Sequence, residues 1–507
     1  MNNGGAQASS SLGIASLLPV IIFLVIAVAM AVVLRRRALK GAKGDSFIEE
    51  YYIGNRSLGG FVLAMTTVAT YGSVSSFVGG PGQAWSIGWG WVYMAVVQVT
   101  ALFLLYGILG RKIALISRRI NAVTVIDIIR RRYNSNALAV VAAAIIVVFF
   151  ATTMIAQFVG GAKLFESVTG YSYTTGLVIF GITAILFTTI GGFRGVAWSD
   201  ALCGIVMLLG LVVIAGGILN AGGGYDAVMA TIETNHPEML EPLSNGNMPW
   251  TLYFTQWLLV GIFTFCLPQS MVRCIGAKNT KALSRAMIIG TVVIGFMMIV
   301  ATSLGVLSAG ILTEDLSAYG NSIDNIIPAA IVKSLPAWLA GIAIVGPIAA
   351  SISTVSSLLI ASSSTIIKDL FMAHREKNGQ AVNPRGIAWG SQAITLGIGA
   401  IVFILSLVPP SVIWKINMFA FGGLETAFVW VFVMGLFWKR ATKAGALCSM
   451  IAGVAAYCIS MGLGFKLFDM HQIVIGVTVA LIGMVVGSLL TKPAPEGELA
   501  DFFPEKS

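Results

Sequence analysis

The sequence predicts an all-α polytopic membrane protein, and three observations carry that prediction. The chain has 507 residues, of which 57% are hydrophobic and only 10% charged, whereas soluble proteins carry about 25% charged residues. Some thirteen apolar runs of about twenty residues follow one another, and that length crosses a bilayer as a helix. The runs do not alternate between polar and apolar residues, so a β-barrel is not expected.

The apolar runs divide the chain into predicted spans and larger units. Spans 1 to 13 are predicted at 15–34, 58–82, 89–110, 137–160, 172–191, 197–220, 250–272, 284–310, 331–366, 387–408, 411–437, 444–464 and 471–491. The expected units are an N-terminal tail with span 1 and an inner loop (1–57), a first repeat of spans 2 to 6 (58–220), an outer loop (221–249), a second repeat of spans 7 to 11 (250–437), accessory spans 12 and 13 (438–491) and a tail (492–507).

Basic residues predict the orientation of the chain. Three arginines at 35–37 follow span 1, and positive charge favours the cytoplasmic side. The N-terminus is therefore expected outside and, after an odd number of spans, the C-terminus inside. Of the 31 Lys and Arg residues, all but Lys163, Lys333, Lys415 and Lys466 fall in predicted inner segments. This asymmetry explains the net charge of +10 without nucleic-acid binding.

Composition also narrows the function class. The five cysteines are scattered and the three histidines lie in predicted loops, so neither a disulfide nor a metal centre of these residues is expected. No clustered nucleophile and base indicate an enzyme, and no rings of charged residues indicate a channel. No soluble domain is attached that would serve a receptor. A transporter embedded in the lipid bilayer, with no obligate protein partner, is therefore the expected class, and a channel or a membrane enzyme is the less favoured alternative.

Two predicted spans contain residues that break helices. Span 2 carries TVATYGSVSSFVGGPG at 67–82, and span 7 carries GIFTFCLPQ at 261–269, with Pro268 inside it. Non-helical backbone survives at membrane depth only where it lines a cavity or is buried in protein, so paired breaks predict a transporter's binding site. The two segments lie five spans apart in runs of opposite direction, which indicates a five-plus-five inverted repeat. The alternative is that these small residues only permit close helix packing.

Span 9 carries hydroxyl groups that suit a hard cation. Ser353 and Thr354 follow Ala350 by about one helical turn, and hydroxyl and carbonyl oxygens are ligands that sodium prefers. Such an uncharged ring would bind sodium weakly enough to release it. The alternative is hydrogen bonding between helices, or from each hydroxyl back to its own helix.

Two acidic residues lie at predicted membrane depth, where charge is costly and functional. Asp200 begins span 6, and its alternative role is to cap that helix at the inner face. Glu425 lies inside span 11, and its alternative role is a silent pair with a neighbouring polar group. Arg273, at the end of span 7, is interpreted as an inner-face charge and not as a substrate clamp.

Several motifs together resemble the sodium:solute symporter family over about residues 48–455. They are YIGNRSLGG at 52–60, GGFRGVAWSD at 191–200, AASISTVSS at 349–357 and GLFWKRATKAGA at 435–446. The resemblance implies the leucine-transporter type of fold, with broken helices, and uptake driven by a co-transported sodium ion.

The resemblance also implies roles for individual residues. The implied sodium ligands are Ala69, Gly72, Ala350, Ser353 and Thr354. Asp200 matches an acid associated with sodium passage, and Arg56 matches a basic residue linked to coupling. Tyr71 stands where proline-transporting members carry an acid, so the role of that acid cannot be carried over to this chain.

Further strings resemble family members that transport pantothenate. They include VLAMT at 62–66, SSFVGGPG at 75–82 and AFGGLE at 420–425. Pantothenate is therefore the expected substrate, and a monocarboxylate or proline is the alternative. The expected location is the bacterial inner membrane.

The substrate carboxylate is expected to meet free N–H groups where the outer half of span 2 begins, around Ser73 to Ser76. Glu425 would repel an anion unless it is protonated or hydrogen-bonded. The residues expected to bind substrate are Tyr71, Ser73, Ser76, Gln98, Trp257, Thr264, Gln269 and Glu425.

Overall fold

A computed structural model of the protein describes residues 13–39, 52–243, 248–378, 384–409 and 412–503. The described residues are almost entirely helical, and a single isolated bridge between Leu58 and Ala277 is their one β contact. The predicted outer tail before residue 13 and the basic residues Lys40 and Lys43 lie outside the described part of the chain. The all-helical class predicted from composition is confirmed.

Ten helices of the described residues are long and apolar enough to cross a membrane. They are Gly13–Met30, Trp89–Arg119, Asn136–Thr169, Tyr173–Gly191, Val196–Ala221, Trp250–Gly276, Thr280–Ala309, Ala337–Arg375, Ile413–Phe437 and Lys443–Gly462. An eleventh span is the bent pair Gly60–Tyr71 and Ser75–Ile87, and two shorter apolar helices are Trp389–Leu405 and Ile473–Leu489. These elements follow the order of the predicted spans, whereas the count of thirteen crossings and the unit boundaries stay predictions.

Some predicted bounds differ from the helices. Span 4 continues nine residues beyond its predicted end, to Thr169, where Gly170 in the left-handed region ends it. Span 9 begins at Ala337 instead of 331, because Pro336 separates it from the short helix Ile326–Ser334.

Span 2 is broken at the position that its glycine and serine residues predicted for a break. The half-helices Gly60–Tyr71 and Ser75–Ile87 meet at an angle of 61°. Gly72 adopts an extended conformation with ψ of 112°, so the helical hydrogen-bond pattern stops there. The inner half packs against spans 6 and 8, and the outer half packs against span 8.

Span 7 is broken in front of Pro268, also as predicted. Leu267 is extended with ψ of 126°, and Pro268 is the first residue of the inner half-helix Pro268–Gly276. Proline suits that position because the first N–H groups of a helix have no partner within it. The two broken helices therefore occupy corresponding places in the two predicted repeats.

Spans 6 and 9 form one of the closest helix pairs of the core. A Cβ atom added to Gly210 would lie 3.0 Å from the carbonyl of Ala343 and 3.1 Å from the Cα of Gly346. Small residues at these positions let the two backbones approach closely. The contact places the start of span 6 beside the hydroxyl groups of span 9.

Candidate functional site

The break in span 2 leaves two backbone carbonyl groups with unused hydrogen-bonding capacity. The N–H group of Gly72 bonds to the carbonyl of Val68 at 2.7 Å. Among the described residues, no backbone N–H group bonds to the carbonyl of Ala69 or to that of Gly72. Ala69 and Gly72 are both buried, and buried carbonyl groups normally have a partner. These are the two span 2 carbonyls expected to bind sodium.

The first N–H groups of the outer half of span 2 are already bonded within the protein. Val74 donates to the side-chain oxygen of Gln157 at 3.0 Å, and Ser75 donates to the hydroxyl of Ser73 at 3.2 Å. Ser76 donates to the carbonyl of Ser73 at 2.9 Å. The expectation that these groups are free for a substrate carboxylate is wrong in this conformation, because Gln157 and Ser73 cap the half-helix.

Span 9 brings its hydroxyl groups against span 2. The Thr354 hydroxyl donates to the carbonyl of Ala350 at 2.9 Å. Ser353 is fully buried and faces Asp200, but its hydroxyl has no partner at hydrogen-bond distance among the described residues. The hydroxyl oxygens of Thr70 on span 2 and Ser357 on span 9 lie 3.2 Å apart. The two helices that carry the five expected sodium ligands are therefore in direct contact.

Asp200 lies in the protein interior beside this contact. It is 0% exposed and lies inside a helix that continues through residues 196–200, so the alternative role of a cap at a helix start is wrong. Its Oδ2 accepts hydrogen bonds from the hydroxyls of Thr66 at 2.8 Å and Ser357 at 3.3 Å. The same oxygen lies 3.4 Å from the guanidinium of Arg273, while Oδ1 has no partner among the described residues.

Arg273 is the second charge of this buried cluster, which corrects its interpretation as an inner-face charge. It is 3% exposed and lies in the second turn of the half-helix that Pro268 begins. Its guanidinium donates to the carbonyl of Gln269 at 2.7 Å, to Ser357 at 2.8 Å and to the hydroxyl of Thr70.

The Asp200–Arg273 pair therefore joins spans 2, 6, 7 and 9. A buried pair of this kind is costly to break, because removing one partner leaves an uncompensated charge, at about 3–5 kcal/mol. Sequence reasoning missed the pair because the two residues lie 73 positions apart, on helices whose contact only the fold defines.

A small cavity of about 20 Å³ lies between the two broken helices and span 11. Five expected substrate residues line it, namely Tyr71, Ser73, Ser76, Gln98 and Thr264. Ser75, inside the predicted stretch from Ser73 to Ser76, also lines it, whereas sequence reasoning missed the remaining lining residues, which are Val260, Trp414, Asn417, Met418 and Phe421. The span 11 residues recur every three or four positions on one helical face, and the buried polar Asn417 inside this apolar helix was the signal that could have found that face.

Tyr71 connects the two broken helices across this cavity. Its hydroxyl lies 3.0 Å from the carbonyl of Val260 and 2.8 Å from the hydroxyl of Thr264, and it donates to acceptors on span 7. The residue that departs from the family pattern is therefore an uncharged hydrogen-bonding link at the site.

The other three expected substrate residues do not line the cavity. Trp257 packs in an aromatic cluster with Tyr253 and Phe254, at centroid distances of 5.5 Å and 5.0 Å. Gln269 is buried in the first turn of the inner half of span 7. Glu425 lies one helical turn beyond the lining residue Phe421 and is 0% exposed.

Arg56 precedes the first half of span 2, where its described hydrogen bonds reach the end of span 3 and the loop that follows it. Its guanidinium donates to the hydroxyl of Ser117 at 3.2 Å and to the carbonyl of Ala122 at 2.9 Å. These bonds fasten the entrance of span 2 to the inner loop.

Comparisons with known proteins agree with the fold and the motifs. The model of the sodium:solute symporter family matches residues 51–453. The chain is 40% identical to the sodium/pantothenate symporter of Haemophilus influenzae over 94% of this chain and 96% of that protein. It is 39% identical to the sodium/pantothenate symporter of Escherichia coli over 95% and 97%. The structure of a Na⁺-coupled sialic acid symporter in an outward-open state superposes with a TM-score of 0.81 at 20% identity, covering 96% of this chain and all of that one. The expected leucine-transporter type of fold is confirmed, and the chain belongs to the sodium:solute symporter family.

Proposed function

We propose that this protein is a sodium-coupled symporter that imports pantothenate by alternating access across a bacterial inner membrane. The observation that carries the proposal is the pair of helix breaks facing one uncharged cavity, next to buried oxygen atoms without partners. The two relatives described above, similar over almost the whole chain, favour pantothenate over a monocarboxylate or proline.

Sodium is proposed to bind between span 2 and span 9. The proposed ligands are the carbonyls of Ala69, Gly72 and Ala350 and the hydroxyls of Ser353 and Thr354. Two features support this set. The span 2 carbonyls lack described backbone partners, and the Ser353 hydroxyl is buried without one. A hard cation would satisfy these oxygens, which water cannot easily reach.

The substrate is proposed to bind in the enlarged form of the cavity between the broken helices and span 11. At about 20 Å³ the cavity is far smaller than the roughly 300 Å³ or more of typical ligand sites, so binding requires the helices to separate. Neutral donors on the lining, such as Ser76, Gln98 and Asn417, are proposed to bind the substrate carboxylate in place of the N–H groups of span 2, which are already bonded.

Coupling follows from the proposed position of sodium between span 2, which lines the cavity, and span 9, which packs against span 2. Sodium that joins span 2 to span 9 favours one arrangement of these helices, and a ligand shifts an equilibrium only by its difference in affinity for the two states. A tenfold sodium gradient supplies about 1.4 kcal/mol per ion, enough for about tenfold accumulation of substrate. In this proposal the N-terminus lies outside and the C-terminus inside.

Uptake by purified protein in proteoliposomes tests the proposal. An inward sodium gradient is expected to drive saturable uptake of labelled pantothenate, and an equal potassium gradient is not. Excess unlabelled pantothenate is expected to compete, whereas proline and short monocarboxylates are not. Sodium-driven uptake of proline without uptake of pantothenate would show that proline is the substrate, while the proposal of sodium-coupled symport would still hold.

A further inference from the structure

Glu425 is a buried acid without a partner. It lies in span 11, its side chain is 0% exposed, and neither carboxyl oxygen has a hydrogen-bond partner among the described residues. An ionised carboxylate in such surroundings carries a large desolvation cost, which only a nearby cation or several hydrogen bonds would offset. The surroundings of Glu425 therefore decide its protonation.

The ionisable groups that face Glu425 supply no positive charge. They are Tyr71 on span 2, Cys266 on span 7 and Tyr457 on span 12. All three are neutral at pH 7 and negative when ionised, so none would stabilise a carboxylate.

The other helices packed against this part of span 11 are equally free of basic groups nearby. Span 4 places Phe149 against Gly423, and span 13 places Gly476 against Thr426. On the inner side, Arg132 bonds to the carbonyl of Gly435, ten residues further along span 11. Arg273 on span 7 is already paired with Asp200.

Glu425 also lies next to the proposed substrate cavity. Met418 and Phe421 line the cavity, and Glu425 follows them on the same helical face at spacings of seven and four residues. Tyr71, which lines the cavity from the opposite side, interacts electrostatically with Glu425. If the two broken helices separated around a substrate, the carboxyl group of Glu425 would lie at the surface of the enlarged cavity.

We propose that Glu425 is a neutral carboxylic acid whose O–H group donates a hydrogen bond to an oxygen atom of the transported anion. This proposal rests on the proposed function. It makes Glu425 a specificity-determining residue, because an ionised carboxylate at the same place would repel the anion, while an apolar residue would leave a substrate oxygen unpaired.

Infrared spectroscopy of the protein in lipid tests the protonation directly and needs no transport. At pH 7 the difference spectrum between the wild type and Glu425→Gln is expected to show the band of one protonated buried carboxyl group, which the variant has lost. Glu314→Gln, at an exposed acid of the outer loop, serves as the matched control and is expected to keep it. An unchanged band in Glu425→Gln overturns the proposal.

Sodium-driven pantothenate uptake tests the recognition. Glu425→Gln keeps a neutral donor, so its KM is expected within about twofold of the wild type. Glu425→Leu loses the donor and is expected to raise KM about tenfold, the scale of one hydrogen bond. A bound cation in place of a proton predicts instead that Glu425→Gln loses uptake, which would overturn the proposal. If the wild type itself lacks pantothenate uptake, the proposed function fails, while the infrared result still decides the protonation.

Discussion

At the scale of single residues, a buried oxygen atom without a partner is the clearest sign of a ligand. The hydroxyl of Ser353 is such an atom, whereas that of Thr354 already donates to the carbonyl of Ala350. A hydroxyl that donates to a carbonyl can still offer its lone pairs to a cation. Both residues can therefore bind sodium, but Ser353 would gain more from it.

We expect Ser353→Ala to raise the sodium concentration for half-maximal uptake by about tenfold, because one ligand oxygen is lost at roughly the strength of one hydrogen bond. Thr354→Ala is expected to raise it in the same direction. Ser363→Ala is the matched control, since that buried hydroxyl of the same helix bonds to the carbonyl of Ile360. Sodium titration of uptake measures all three, and unchanged sodium dependence in Ser353→Ala would remove this residue from the site.

The buried pair of Asp200 and Arg273 shows what sequence reasoning loses at this scale. The motif identifies Asp200, whereas Arg273 is followed by the basic residues Lys278, Lys281 and Arg285 and therefore resembles another inner-loop charge. Only its position in the half-helix begun by Pro268 turns it toward the interior. A charge near the end of a span can face either solvent or core, and its spacing in the sequence does not distinguish the two.

At the scale of helices, the sequence predicted both breaks because glycine and proline act locally. An extended Gly72 and a proline that cannot continue a helix depend on few distant contacts. Sequence reasoning missed the span 11 residues that line the cavity, because residues such as Trp414 and Phe421 are typical of any apolar helix. Their role appears only when spans 2 and 7 are placed beside them.

Close packing of the outer half of span 2 gives a prediction at this scale. A Cβ atom added to Gly305 of span 8 would lie 1.9 Å from the carbonyl of Pro81, which is backbone and cannot move alone. We therefore expect Gly305→Ala to displace the outer half-helix, to destabilise the protein by about 1–3 kcal/mol and to abolish most uptake.

Gly216→Ala provides the control for that experiment. Gly216 lies in span 6, where an added Cβ meets no atom within 4 Å, so alanine is expected to leave uptake unchanged and to stabilise the helix slightly. Thermal unfolding of both variants in lipid and uptake by both measure the contrast. Equal behaviour of the two would show that span 2 does not need this close contact.

At the scale of the whole molecule, ion pairs join helices at both ends of the bundle, here named inner and outer after the orientation that the basic residues predict. On the inner side, Lys368 of span 9 pairs with Asp127. Burial alone would raise the pKa of Asp127, but the charge of Lys368, its hydrogen bond and those from the N–H groups of Val123 and Thr124 together hold that pKa below its ordinary value. On the outer side, Lys163 of span 4 pairs with Asp324 at 2.9 Å. A transporter that alternates between two openings must loosen these ends in turn.

The outer pair lies close to the proposed substrate cavity, because the segment Ile323–Asn325 packs against the lining segment Ser75–Gly79 of span 2. Asp324 is 0% exposed and also accepts a hydrogen bond from the N–H group of Ile413 at the start of span 11. The carboxylate therefore joins span 4, the loop between spans 8 and 9, and span 11. Lys163→Met removes the positive charge but keeps most of the side-chain volume, so it leaves Asp324 buried and unpaired, a state that costs several kcal/mol.

We expect Lys163→Met to shift the protein toward outward-open states, because solvation of the unpaired Asp324 carboxylate requires the outer side to open. A cysteine placed at the lining residue Ser76 would then react with a membrane-impermeant thiol reagent from outside at least about tenfold faster. Lys333→Met, at an exposed lysine of the outer side, is expected to leave the rate unchanged. Asp324→Asn combined with Lys163→Met removes the unpaired charge and is expected to restore slow labelling. Equal labelling in the two lysine variants would mean that the outer closure depends on helix packing and not on this pair.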